Sequence, residues 1–119
     1  MANPGPAIQG FPSYFSTMSN SQKAVILSVA LTPALVAANT TAEQIFSLTS
    51  GTGITLTDFV SVNKPTAQAG LGIVNARAAG VDQIAITYVN ATASSITPTA
   101  ESYLLKAERV TATVVTYPY

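Results

Sequence analysis

The sequence contains no cysteine and no histidine among its 119 residues. The absence of cysteine excludes disulfide bonds, thiolate metal sites and thiol catalysis. Without histidine, the commonest general base and the commonest transition-metal ligand are also missing. We therefore expect no enzymatic activity, no cofactor and no bound metal, and nothing in the cysteine usage argues for an oxidising compartment.

Charged residues are scarce as well, since five basic and five acidic side chains make up 8% of the chain. An average soluble domain has about 25%. No run of Lys or Arg could form the basic face that duplex binding needs, so no nucleic-acid partner is expected. A surface of small and apolar side chains usually contacts another protein, and a net charge of zero gives little repulsion between copies. We predict a self-associating, protein-binding chain; the alternative is an ordinary monomer coated with Ala and Thr.

The acidic residues are the only acid–base candidates, and they are scattered singly over predicted turns and strand ends: Glu43, Asp58, Asp82, Glu101 and Glu108. Glycoside hydrolysis without histidine needs two carboxylates facing each other, and this pattern does not indicate such a pair. We expect Asp82 to orient its turn and Asp58 to orient the start of the strand that follows it. The basic residues Lys64 and Arg77 flank a predicted loop, where they either bind a partner's carboxylate or are simply solvated.

Short runs of alternating apolar and polar residues predict β-strands. The predicted strands cover residues 24–31, 43–49, 59–62, 71–78, 84–88 and 101–116. Turn-forming residues separate them at fairly even spacing, with breaks at 63–66 and 79–82 among others, and no segment predicts a helix. Six or seven short strands predict a single-domain all-β fold. The two alternatives are an antiparallel β-sandwich, of jelly-roll or Ig-like topology, and a small barrel.

The period of two also predicts which side chains share a face of a strand. In the first strand one face carries Val25, Leu27, Val29 and Leu31, and the other carries Ile26, Ser28 and Ala30. Phe46 and Leu48 are expected to face inward, and Ile84, Ile86 and Tyr88 are expected to share one face. Gly70 is expected to provide a tight turn into the strand that begins at Leu71.

The uncharged run of residues 24–38 has the length of a signal-peptide core and could be mistaken for a membrane span. A span needs about 20 apolar residues, and two hydroxyl residues and Pro33 interrupt this run. It also begins behind a proline-containing segment with a single basic residue, so secretion is the less favoured alternative. We predict a strand that ends at Pro33, no membrane partner, and no glycan on the sequons that begin at Asn39 and Asn90.

Residues 1–22 contain three prolines and clustered aromatic residues, and we predict an extended arm there, in front of a β-domain covering residues 23–119. The arm either becomes ordered on a neighbouring subunit or remains a disordered terminus. In the last run we expect a bend near Glu108, with the second half pairing at a sheet edge or with another chain. Position and residue type select the candidate interface residues, which together with Lys64 and Arg77 are Phe11, Tyr14, Phe15, Tyr117 and Tyr119.

Three motifs in the middle of the chain resemble a known family. They are Asn63-Lys64-Pro65-Thr66, the glycine-containing run at residues 70–77, and Thr97-Pro98-Thr99-Ala100-Glu101 before Tyr103. Together with the sequence between them, residues 25–105 resemble the capsid decoration, or cement, proteins of tailed bacteriophages. One departure is Ala78-Ala79-Gly80-Val81, where such chains usually show Val-Ser-Ala-Ala; it is a turn variant that leaves the pattern intact.

The resemblance implies a β-sandwich that binds the outside of a phage capsid. Such a protein caps a shell of major capsid protein as a homotrimer at threefold or pseudo-threefold positions, and it ties neighbouring subunits together against the internal pressure of the genome. It would be assembled in the host cytoplasm and located on the virion surface. The alternative is a phage tail or adhesin module that binds a host receptor or glycan, because similar β-modules occur in both places.

Overall fold

The structure is a computed structural model that describes residues 24–49 and 51–109. The predicted arm at residues 1–22 lies outside the described residues, and so does the segment 110–119. The predictions for these two segments therefore stay predictions. They concern the pairing of the last run and the aromatic interface residues, which are Phe11, Tyr14, Phe15, Tyr117 and Tyr119.

In the described part of the chain, six strands form two antiparallel three-stranded sheets. The strands are β1 (Ala24–Leu31), β2 (Thr40–Ser47), β3 (Phe59–Asn63), β4 (Leu71–Gly80), β5 (Gln83–Asn90) and β6 (Glu101–Glu108). Sheet 1 has the strand order β1-β6-β3, and sheet 2 has the order β2-β5-β4. The two sheets pack face to face as a small β-sandwich, which confirms the all-β fold class predicted from the alternating sequence.

The core lies between the central strands β5 and β6. Ile84, Ile86 and Tyr88 share one face of β5, as predicted, and this face is the inner one, where their side chains are buried. From β6, Tyr103 and Leu105 face them and are buried as well. The edge strands pack further inward side chains against this centre, which include Val25, Leu27, Val29, Ala42, Phe46, Val60, Ile73 and Ala78.

The hairpin between β4 and β5 is tighter than the sequence predicted. The break expected at 79–82 is only the two-residue turn Val81-Asp82, because β4 continues to Gly80 through a bulge at Ala79. The second strand also begins earlier than expected, at Thr40. Neither boundary is marked in the sequence by a residue that excludes strand geometry.

The turn before β4 matches the prediction for Gly70. Its φ angle is 79°, a conformation that glycine adopts without a steric cost. Its carbonyl oxygen accepts a hydrogen bond from the backbone N–H of Ala91 at 2.9 Å, so the start of β4 is fixed to the end of β5.

Candidate interaction surface

One end of the sandwich is held by the side chain of Asn90, at the end of β5. Its Nδ2 donates hydrogen bonds to the carbonyl oxygens of Val36 (3.1 Å) and Ser94 (2.8 Å). Its Oδ1 accepts hydrogen bonds from the backbone N–H and the hydroxyl of Thr92, at 2.9 and 2.7 Å. The amide is completely buried, and these four bonds satisfy it. Asn90 therefore joins the β1–β2 connection to the β5–β6 connection, and its nitrogen is not accessible to a glycan in the folded protein.

The opposite end is held by two carboxylates. Asp58 accepts hydrogen bonds from Nε and Nη2 of Arg109 at 2.8 and 2.9 Å, and the same guanidinium donates to the carbonyl of Gly53. Asp82, which lies in the hairpin turn as predicted, accepts from the hydroxyl and the backbone N–H of Thr52. Hydrogen bonding lowers the pKa of both carboxyls, mainly through Arg109 for Asp58 and through the Thr52 hydroxyl for Asp82. A cleft of about 470 Å³ opens beside Asp58 and Arg109, but these two groups are bonded to each other.

Arg77 of β4 lies on the outer face of sheet 2, and its side chain crosses the central strand β5. Its Nε and Nη2 each donate to a different carboxylate oxygen of Glu43, both at 2.8 Å, and this pairing lowers the pKa of Glu43. Arg77 is paired with Ala85 of β5, while Glu43 belongs to β2 on the far side of that strand. Ala85 faces outward and is nevertheless only 1% exposed, because the arginine side chain extends over it.

Lys64 lies just after β3, at the Asn90 end. Its Nζ is 3.1 Å from Oε2 of Glu101 and also donates to the carbonyl oxygen of Thr66. The Thr66 hydroxyl and, to a smaller extent, Lys64 lower the pKa of Glu101. The sequence left open whether Lys64 and Arg77 bind a partner's carboxylate or are solvated. Each is paired with a carboxylate of its own chain, and contact with a partner stays a prediction.

The outer face of sheet 1 is the candidate interaction surface; it consists of the outward side chains of β1, β6 and β3. Three large apolar side chains lie exposed on it, with Ile26 70% exposed, Phe59 61% and Leu104 52%. Ile26 and Leu104 are diagonal neighbours across β1 and β6, close enough for their side chains to form one patch. Lys106 and Glu108 also lie on this face, with 3.6 Å between Nζ of the lysine and Oε1 of the glutamate, so their charges compensate each other. The face therefore carries three exposed apolar side chains among small, polar and charge-paired ones, and it has no net charge.

The sequence predicted none of these three residues as part of an interface, although a signal was present. Residues 24–31 are apolar or small at every position, whereas a strand with one solvated face alternates apolar and polar residues. A continuous apolar run of this length indicates a strand whose two faces are both covered. In the described structure only one face of β1 is covered, so Ile26 is left exposed.

Two further properties of the described residues bear on the function. No helix in residues 24–49 and 51–109 has the length and hydropathy that a membrane crossing requires. Within the same residues, no group of three or more acidic side chains is placed to hold a metal ion.

Comparisons with protein-family models, with curated proteins and with solved structures find no match to this chain. The fold and the candidate interaction surface therefore define the class only as a small antiparallel β-sandwich.

Proposed function

We propose that this protein is a structural virion protein that binds the outside of a phage capsid and stabilises it by bridging neighbouring major capsid subunits. The resemblance of residues 25–105 to capsid decoration proteins supports the assignment to a shell. The observation that carries the protein-binding part is the exposure of three large apolar side chains on the outer face of sheet 1, which are Ile26, Phe59 and Leu104. Apolar groups of this size stabilise a complex when a partner removes them from water.

The rigid framework of the sandwich suits this role. Asn90 at one end and the Asp58–Arg109 pair at the other connect loops that are distant in sequence. A surface carried by such a framework loses little conformational entropy when it binds. In a homotrimer at a threefold position, three such surfaces act together, and the effective concentration of the second and third contacts makes modest individual affinities sufficient.

The competing function is a tail or adhesin module that binds a host receptor or glycan. Carbohydrate and receptor sites commonly use aromatic side chains on loops, yet in the described residues all four aromatic side chains belong to strands: Phe46, Phe59, Tyr88 and Tyr103. Counting copies per purified particle separates the two functions. Hundreds of copies support a shell component, and a handful supports a tail component and contradicts our proposal.

Binding to capsids that lack the protein tests the surface. We expect Phe59→Ser and Leu104→Ser each to weaken attachment about 10-fold, since each removes roughly 1–2 kcal/mol of apolar contact. Ile45→Ser is the matched control, because Ile45 is 59% exposed on the outer face of sheet 2. Equal weakening by all three variants, or by none, would contradict the assignment of this face to the capsid.

A further inference from the structure

The four edge strands of the sandwich differ in how well they are protected against pairing with another strand. Edges are normally protected by short length, charge, proline or bulges. β3 has only five residues and is followed by Lys64-Pro65, β2 carries Glu43, and β4 has two bulges and Arg77. β1 has eight residues without a charge, a proline or a bulge, and its register with β6 is continuous from Ala24 to Leu31.

The inward side of β1 is also incompletely covered. Val25, Leu27 and Val29 face the core, yet each remains partly exposed in the described structure. On the other side of the same strand, Ile26 is 70% exposed. A further strand placed beside β1 would cover both sets of side chains and would use the N–H and C=O groups of β1 that have no strand partner among residues 24–49 and 51–109.

We propose that β1 pairs with β1 of a second copy of this chain, antiparallel and around a twofold axis at Ser28. The two copies of sheet 1 then form one six-stranded sheet with the order β3-β6-β1-β1-β6-β3. Charge permits a second copy as the partner strand. Like charges directly opposite each other destabilise a strand pair, and β1 contains no ionisable group, so self-pairing brings none together.

The alternation of β1 determines the register. Both sandwich cores lie on the same side of the joint sheet only if inward residues pair with inward residues. A twofold axis at Ser28 pairs all four of them, with Val25 opposite the partner's Leu31 and Leu27 opposite the partner's Val29. An axis at Leu27 would leave Leu31 without an apolar neighbour. In the proposed register the large outward Ile26 lies opposite the small side chain of the partner's Ala30, so no two bulky groups compete for space.

In the proposed register Ala24 lies beside the partner's Thr32. The contact uses the same edge on both copies and cannot close a threefold ring. It is therefore separate from the contact that would hold the proposed trimer, and it can be tested without a capsid.

Because the chain has no cysteine, a single introduced thiol reports the contact directly. In the full chain, Ser28→Cys should give more than about half covalent dimer on mild oxidation or with a short bis-maleimide, since opposite Cβ atoms in such a pair are about 5 Å apart. Ser61→Cys is the control. Ser61 is exposed on the outer face of β3, and the two copies of β3 would be about 24 Å apart. Equal cross-linking at both positions, or no dimer with Ser28→Cys, overturns the proposal.

A charged variant gives a second, independent readout. Ser28→Glu places two carboxylates opposite each other at the twofold axis, and we expect the dimer dissociation constant from sedimentation to rise at least about 10-fold. Ser61→Glu adds the same charge to the same face beside Lys106 and should leave the constant unchanged. Circular dichroism confirms that each variant is folded. An unchanged constant for Ser28→Glu overturns the β1 contact, whereas loss of capsid binding with an intact dimer concerns only the proposed function.

Discussion

The phenol oxygens of Tyr88 and Tyr103 lie 2.9 Å apart between the two sheets, and they form a buried hydrogen bond that joins β5 to β6. The two side chains are 0% and 1% exposed. Burial raises the pKa of both phenols, so both stay neutral well above neutral pH and either can donate. Within the described residues, each hydroxyl has the other as its hydrogen-bond partner. The pair therefore behaves as one unit in the core.

This arrangement predicts that the two tyrosines contribute to stability in a strongly non-additive way. Tyr88→Phe or Tyr103→Phe alone should lower the free energy of unfolding by about 1–3 kcal/mol, because a buried hydroxyl is left unpaired. The double variant should lose less than the sum of the two, since no unpaired group remains. Urea unfolding of the four proteins at neutral pH measures this coupling. Additive losses in the double variant would show that the hydroxyls do not depend on each other.

The turn at Gly70 predicts a second, steric dependence between two positions. A Cβ atom at Gly70 would overlap the Cγ2 methyl of Thr92, and the φ of 79° is itself unfavourable for alanine. We expect Gly70→Ala to lower the free energy of unfolding by about 2–4 kcal/mol. In that background Thr92→Ser should recover part of the loss, because serine keeps the hydroxyl that bonds Asn90 and lacks the methyl.

Gly53→Ala is the matched control for this prediction. Gly53 has a φ of 86°, and a Cβ atom there would meet no described atom within 4 Å. Its loss should therefore reflect backbone strain alone, about 1–2 kcal/mol. If Gly70→Ala were no more destabilising than Gly53→Ala, or if Thr92→Ser gave no recovery, the overlap would not be the cause.

The sequence predicted the parts of the fold that depend on local chemistry. Which residues share a face in β1 and β5 follows from a period of two that any strand must obey, and the turn at Gly70 follows from the conformational freedom of glycine. The Tyr88–Tyr103 hydrogen bond and the Asp58–Arg109 pair could not be predicted, because each joins residues that meet only through the strand order. Asp58 and Arg109 are 51 positions apart in the sequence.

The candidate interaction surface could not be predicted from the sequence, for a related reason. Alternation tells which residues share a face, but it does not tell which face another sheet covers. In β1 both faces are apolar, so the pattern could not show that Val29 would face the core and Ile26 would be exposed. Lys64 and Arg77 were predicted as interface residues from their position beside a loop, and the pattern did not indicate that Glu101 and Glu43 pair with them.

Asp82 predicts how stability depends on pH. Hydrogen bonds from Thr52 lower its pKa in the folded protein, so the unfolded state binds more protons as the solution becomes acidic. Its contribution is complete above the ordinary aspartate pKa of about 3.9 and is lost as the pH falls through the lower folded value. Asn tolerates the φ of 54° at this position, so Asp82→Asn should fold. The variant should be less stable than the original protein at pH 7, but its free energy of unfolding should fall less steeply below about pH 4. The difference in slope should correspond to at most about one bound proton. Thr52→Val keeps the carboxylate and removes its main hydroxyl donor, so its slope should lie between the two. Denaturant unfolding from pH 2 to pH 7 measures these slopes, and parallel curves for all three proteins would refute the role of Asp82.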